Sequence, residues 1–116
     1  MERFMEFEFV AAQQLPGVPA DHTAARLHGH TFRVRVSLAA ALDPDKDWII
    51  DPAELRAQVE QVLGDVDHRY LNEVPMLDNP STENLTRYLR DRLRDRLPGQ
   101  VTLELWENEK VGCTVS

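Results

Sequence analysis

The chain has 116 residues, 42% of them hydrophobic and 28% charged, with a formal net charge of -7 at pH 7. That is enough chain for one hydrophobic core and too little for two, no run approaches the ~20 apolar residues of a membrane span, and an acidic surface has the wrong sign for neutralising nucleic-acid phosphates. A single cysteine, Cys113, excludes an internal disulfide framework and any cysteine-rich zinc site. The N-terminal MERFMEFEFV lacks a basic start followed by an apolar run, so the reading is one cytoplasmic domain over residues 1–116.

The first strand is expected from about Phe4 to Ala12, with Phe7, Phe9 and Ala11 on one face, Glu6 and Glu8 on the other, and Gln13 continuing the Phe7 face. LPGVPADHTAA, with its prolines and glycine, is a loop. The second strand, about Leu27 to Ala40, puts Phe32, Val34, Val36 and Leu38 on one face together with His28 and His30. DPAELRAQVEQVLG has Asp51 as N-cap, Pro52 at the first helical position and Gly64 as its stop, with Leu55, Val59, Val62 and Leu63 at helical spacing. NPSTENLTRYLRDRLRDRLPG restarts helix at Pro80 and Ser81, carries the stripe Leu85, Tyr88, Leu89, Leu93 and Leu97, and ends at Pro98 and Gly99. Its arginines, Arg87, Arg90, Arg92, Arg94 and Arg96, alternate with Asp91 and Asp95 as a solvated face. Val101 to Glu107 alternates with Val101, Leu103 and Leu105 inward, which carries Glu107 to the inner face, and a short strand of about Val111 to Val115 finishes the order ββααββ. These elements predict an α+β fold, a four-stranded antiparallel sheet with two helices on one face. Its free edges call for partners, so a homo-oligomer is expected.

Three groups of residues can carry chemistry. His28 and His30 stand two apart on a strand, so both imidazoles leave the same face within reach of one ion; satisfied polar residues at a strand end are the plainer alternative. A zinc site needs a third donor, for which His22 in the preceding loop or the amide oxygen of Gln13 is available. Asp67 and His68 form a carboxylate–imidazole pair of the kind used in proton transfer, or an ordinary pair of loop neighbours. Glu107 is a carboxylate on an otherwise aliphatic face, and an N–C–NH2 edge of a pterin or guanine would satisfy it through two hydrogen bonds; the alternative is a strand-end acid reaching water.

Taken in order, FEFVAAQQLPGVPADH, RLHGHTFRVRV, WIIDPAEL, DVDHRYLNEVP, NPSTENL and LELWENEKVGC resemble the 6-pyruvoyl-tetrahydropterin synthase family, and within it the bacterial 6-carboxytetrahydropterin synthases of queuosine and deazapurine biosynthesis. The resemblance implies the T-fold, with sheets of several subunits joined into a barrel, trimers stacked as hexamers, pterin sites between subunits, and zinc held by three histidines. It implies Glu107 as the pterin anchor, Thr82 and Glu83 at the ring pocket, Asp67 and His68 as catalytic partners, and a lyase acting on dihydroneopterin triphosphate. Two metal and catalytic positions depart from the pattern: the family's first zinc-ligand histidine is Gln13, and its catalytic cysteine is Ala24; the threonine after its anchoring glutamate is also replaced, by Asn108. With both changed, the expectation is a pterin-binding lyase homologue of altered or reduced synthase activity, or, as the alternative, a non-catalytic pterin- or purine-binding oligomer that keeps the fold and the ring pocket.

Overall fold

The computed structural model describes residues 1–116. Its long hairpin joins β1 (Glu2–Gln13) to β2 (His28–Ala39), antiparallel from Glu2 opposite Ala39 to Gln13 opposite His28. α1 (Pro52–Leu63), β3 (Arg69–Tyr70), α2 (Thr82–Arg94), β4 (Gln100–Trp106) and β5 (Gly112–Val115) follow in chain order. The sheet runs β3-β1-β2-β4-β5. It has one more strand than the sequence suggests: β3 pairs parallel to β1, with Ala11 opposite Arg69 and Ala12 opposite Tyr70. Two residues are too few to show an alternation, so this strand exists through its tertiary pairing and leaves no periodic trace.

Both helices begin as their capping residues dictate. The Asp51 side chain accepts from the Ala53 N–H with Pro52 in the first turn, and the Ser81 side chain accepts from the Asn84 N–H. α2 ends at Arg94, before the Pro98–Gly99 stop that the sequence suggests, and its chain closes with the Arg96 and Leu97 N–H groups both donating to the Leu93 carbonyl. Leu97 remains buried although it lies past the helix. The arginine face is exposed at Arg87, Arg94 and Arg96, with Arg96 donating to Gln58 and Gln61 of α1, while the half-buried Arg92 lies over the Tyr88 ring at 4.4 Å.

One core forms between the helices and the inner sheet face. Phe9, Phe32, Val34, Val36, Leu38, Val101, Leu103 and Leu105 come from the strands, and Leu55, Val59, Leu85, Leu89 and Leu93 from the helices, all buried. Removing a fully buried leucine such as Leu89 costs about 2–5 kcal/mol through lost transfer energy and the cavity left behind. The outer face is left uncovered, with Phe4 56% exposed beside the ion pair of Arg35 with Glu6. At one end of the inner face the aliphatic rows give way to Gln13, His28, His30 and Glu107.

Candidate functional site

The β1–β2 register places Gln13 directly opposite His28, and Ala11 opposite His30, so alternation carries Gln13, His28 and His30 to the inner face together. Gly29 between the histidines runs close to β1: a Cβ there would stand 3.2 Å from the Ala11 carbonyl oxygen. The His28 and His30 rings meet edge to face with centroids 5.1 Å apart, and His30 rests against Phe32 at 5.3 Å. His28 Nδ1 lies 2.7 Å from the Arg26 carbonyl oxygen, which can only accept, so Nδ1 carries the proton and the Nε2 lone pair is directed inward. Burial lowers the pKa of His30 below the ordinary histidine value against the opposing pull of Glu107, and nearby His28 lowers it further.

Gln13 is 2% exposed, with Nε2 at 3.3 Å from His28 Nε2 and Oε1 without any hydrogen-bond partner. Buried acceptors are seldom left in this state. His22 stands elsewhere. It caps the short 3-10 turn Thr23–Ala25, and its Nδ1 accepts from the Ala24 N–H at 3.0 Å. A neutral imidazole that accepts at Nδ1 bears its proton on Nε2, so in this arrangement His22 offers no free lone pair. No three His, Cys, Asp or Glu side chains gather as a metal-binding group. The donors that do converge are His28, His30 and Gln13, a set whose orphaned oxygen and inward lone pair fit a cation such as zinc.

Glu107 follows the last residue of β4 and turns to the inner side, where the Thr82 hydroxyl at the start of α2 donates to its Oε2 at 2.9 Å. Its Oε2 is 4.0 Å from His30 Nε2, and the two residues border one hollow of about 520 Å³ with Gly29, Thr31 and Trp106. Glu83, one residue after Thr82, accepts from the Cys113 thiol at 3.5 Å. Burial, then Glu83, raises the Cys113 pKa, so the thiol stays protonated and is a poor nucleophile.

Asp67 and His68 are joined at 2.8 Å between Oδ1 and Nδ1, which leaves His68 Nε2 free. The pair is fixed to the β1 edge: Asp67 Oδ1 also accepts from the Val10 N–H, and the His68 N–H donates to the Val10 carbonyl. His68 holds a positive φ of 59°, unusual for a residue with a side chain, and its imidazole is 77% exposed. It borders hollows with Val10 and Thr31, and His30, whose ring packs against Phe32, lines one of them as well. Thr31 lines hollows of both His68 and Glu107, but none of these hollows is lined by both His68 and Glu107.

A network with no sequence signature of its own holds these parts in register. Tyr70 Oη donates to Gln14 Oε1 at 2.7 Å, and Asn72 closes a reciprocal pair with the Gln14 backbone at 2.9 and 2.7 Å. The Leu15 N–H donates to the Ala24 carbonyl, which brings the Ala24 backbone beside the end of β1. Only the amide and hydroxyl composition of AQQ and RYLNE could have suggested such bonds.

The sheet order, the two helices on its inner face and the polar residues at the strand ends together define a T-fold protein. The chain belongs to the 6-pyruvoyl tetrahydropterin synthase family, whose model matches residues 3–116. A dihydroneopterin monophosphate aldolase of Pyrococcus furiosus is 38% identical over 89 residues, covering 74% of this chain and 75% of that protein. A 6-carboxy-5,6,7,8-tetrahydropterin synthase of Synechocystis is 31% identical over 110 residues, 90% of this chain and 84% of that protein. Among solved structures, the 6-pyruvoyl tetrahydropterin synthase of Caenorhabditis elegans superposes with a TM-score of 0.89 over 99% of this chain and 94% of its own, at 22% identity. That of Plasmodium vivax gives 0.74 over 99% and 96%, at 20% identity. At those identities the superpositions establish the shared fold.

Proposed function

We propose that this protein is a pterin-side-chain lyase that cleaves a carbon–carbon bond of a dihydroneopterin-type substrate by retro-aldol chemistry. The observation that carries the proposal is the Asp67–His68 pair with His68 Nε2 free, together with a Glu107 carboxylate bonded by Thr82, in a chain 38% identical over 89 residues to a dihydroneopterin monophosphate aldolase. In this reading the Glu107 carboxylate, held by Thr82, accepts two hydrogen bonds from the N–C–NH2 edge of the ring, as the resemblance implies. Glu83 stands beside Thr82 in the first turn of α2, where the resemblance implies a place at the ring pocket.

A retro-aldol step breaks the side-chain bond between C1′ and C2′. The 2′-hydroxyl loses its proton and becomes the carbonyl of a departing aldehyde, the bonding electron pair moves to C1′ in conjugation with the ring, and C1′ is then protonated. No oxidant is needed. A single base that takes and returns the proton is sufficient, and His68 Nε2, with Asp67 holding Nδ1–H, has that form. The resemblance implies a thiolate base for synthase chemistry, and Ala24 supplies neither a thiolate nor a carboxylate, so retention of the dyad without that base favours cleavage over synthase activity. Zinc bound by His28, His30 and a third donor would polarise a side-chain oxygen and favour its deprotonation. Because His68 and Glu107 line separate hollows, a homo-oligomer in which a neighbouring subunit supplies His68 fits this function, as a trimer or hexamer of the family's kind.

A second reading has its own support. Ala24 supplies no proton-transfer group at the position where the resemblance implies one, which favours a non-catalytic pterin- or purine-binding oligomer that keeps the fold and the ring pocket. The test is product analysis with dihydroneopterin, its monophosphate and its triphosphate. We expect a 6-hydroxymethyl dihydropterin with the matching two-carbon aldehyde, and little or no tetrahydropterin from the triphosphate. A 6-carboxy- or 6-pyruvoyl-tetrahydropterin formed above about 1 per second would overturn the aldolase reading, and tight binding with no turnover would favour the binding module.

A further inference from the structure

We propose that Gln13 is itself a metal donor, binding through Oε1 after a half-turn of its amide, so that the centre is a neutral two-imidazole, one-amide site. This rests on the metal site of the preceding section and assigns the donor that site lacks. The amide oxygen and nitrogen are nearly equal in size, so a half-turn exchanges them without disturbing the packing around a residue that is 2% exposed. At the far end of the amide no protein group partners Oε1, so nothing there fixes the orientation. The choice is made at the near end, by whatever lies between Gln13 and His28. With nothing between them, Nε2 donates to the imidazole; with a cation between them, the oxygen must face it.

The spacing already suits the cation. Two donors bound tetrahedrally at zinc's usual distances of about 2.0–2.2 Å are separated by about 3.4 Å, and the Gln13 amide atom stands 3.3 Å from His28 Nε2. Two imidazoles on such an ion have ring centres roughly 5.2 Å apart, against 5.1 Å for His28 and His30. The proton of His28 is committed to the Arg26 carbonyl, the outer-sphere bond that ligating histidines characteristically make. An amide is a weaker zinc donor than imidazole, so this centre holds zinc less tightly than a three-histidine one while leaving the full dipositive charge on the ion.

The experiment is zinc stoichiometry by elemental analysis and affinity by competition with a chromophoric chelator, on the full chain and on Gln13→Leu, Gln13→Glu and Gln13→His. We expect one zinc per chain, an affinity at least about 10-fold lower in Gln13→Leu, and undiminished binding in Gln13→Glu and Gln13→His. Gln13→Glu separates the two roles of the side chain, because a carboxylate can ligate but cannot donate to His28. Cobalt-loaded protein should show a visible spectrum that changes between Gln13 and Gln13→Leu, whereas a side chain outside the coordination sphere would leave the bands in place. Zinc binding by Gln13→Leu equal to or tighter than that of the unmodified chain overturns the assignment and leaves the histidine site standing. Absence of zinc from both the unmodified chain and Gln13→His overturns the metal site as well, while pterin binding through Glu107, measured separately, tests the rest of the proposed function. Melting curves of the four metal-free proteins establish that each is folded.

Discussion

At Glu107 the charge is held by one neutral hydroxyl, that of Thr82, with His30 at 4.0 Å beyond direct hydrogen-bond reach. Most of the carboxylate's accepting capacity is therefore open toward the hollow, which is the state of a group awaiting a donor pair rather than of one used in folding. Glu107→Gln removes one acceptor of a charge-assisted pair and is expected to weaken pterin binding by about 1.5–3 kcal/mol, read by calorimetry, with little change in melting temperature. Equal affinity would remove Glu107 from the ring pocket. His68 permits a similar separation of stability from chemistry, since its imidazole is 77% exposed and packs against little. His68→Ala should lower turnover by roughly 100- to 10,000-fold, with pterin affinity retained. A residual rate within about threefold of the unmodified protein would move the base elsewhere.

At the scale of elements, legibility in the sequence followed periodicity. β1, β2 and β4 could be read because alternate residues face a core, and α1 because Asp51, Pro52 and Gly64 bracket a helical stripe. The inner-face position of Gln13, His28, His30 and Glu107 followed from the same alternation. What could not be read was tertiary: the parallel pairing of β3, the Gln14–Tyr70–Asn72 bonds, and the left-handed backbone of His68, none of which repeats along the chain. His22 illustrates the limit, for its spacing from His28 says nothing of the Ala24 N–H that it caps. The β4–β5 hairpin carries a steric requirement of this hidden kind. A Cβ on Gly112 would stand 2.2 Å from the Leu105 carbonyl oxygen, a backbone atom of the paired strand that cannot yield. Gly112→Ala should therefore cost about 1–3 kcal/mol in chemical denaturation. Because Glu107 begins the connection between these strands, with its N–H donating to the Val111 carbonyl, pterin binding should weaken along with stability. An unchanged denaturation midpoint would mean that the hairpin tolerates the shift.

At the scale of the whole molecule, the chain is elongated, 57 × 24 × 19 Å, with a sheet covered by helices on one face only. The uncovered face carries Phe4, Glu6, Arg33 and Arg35, and the edges β3 and β5 offer backbone groups to another strand. Sedimentation should accordingly find a trimer or hexamer, and a monomer at micromolar concentration would contradict the assembly. The placement of the dyad allows a sharper test of how that assembly forms the site. If each site takes Glu107 from one subunit and His68 from a neighbour, Glu107→Gln and His68→Ala are defects in different halves of it. Each variant oligomer alone has every site damaged. Unfolding the two together and refolding them as a mixture creates sites that pair the intact Glu107 of one chain with the intact His68 of the other. Random assembly of equal amounts makes about one quarter of the sites whole, so turnover should rise to about one quarter of that of the unmodified protein. A site built within a single chain cannot be repaired by mixing, because every chain carries one of the two defects. Recovery no greater than the sum of the two variants measured separately would place both residues in one subunit's site.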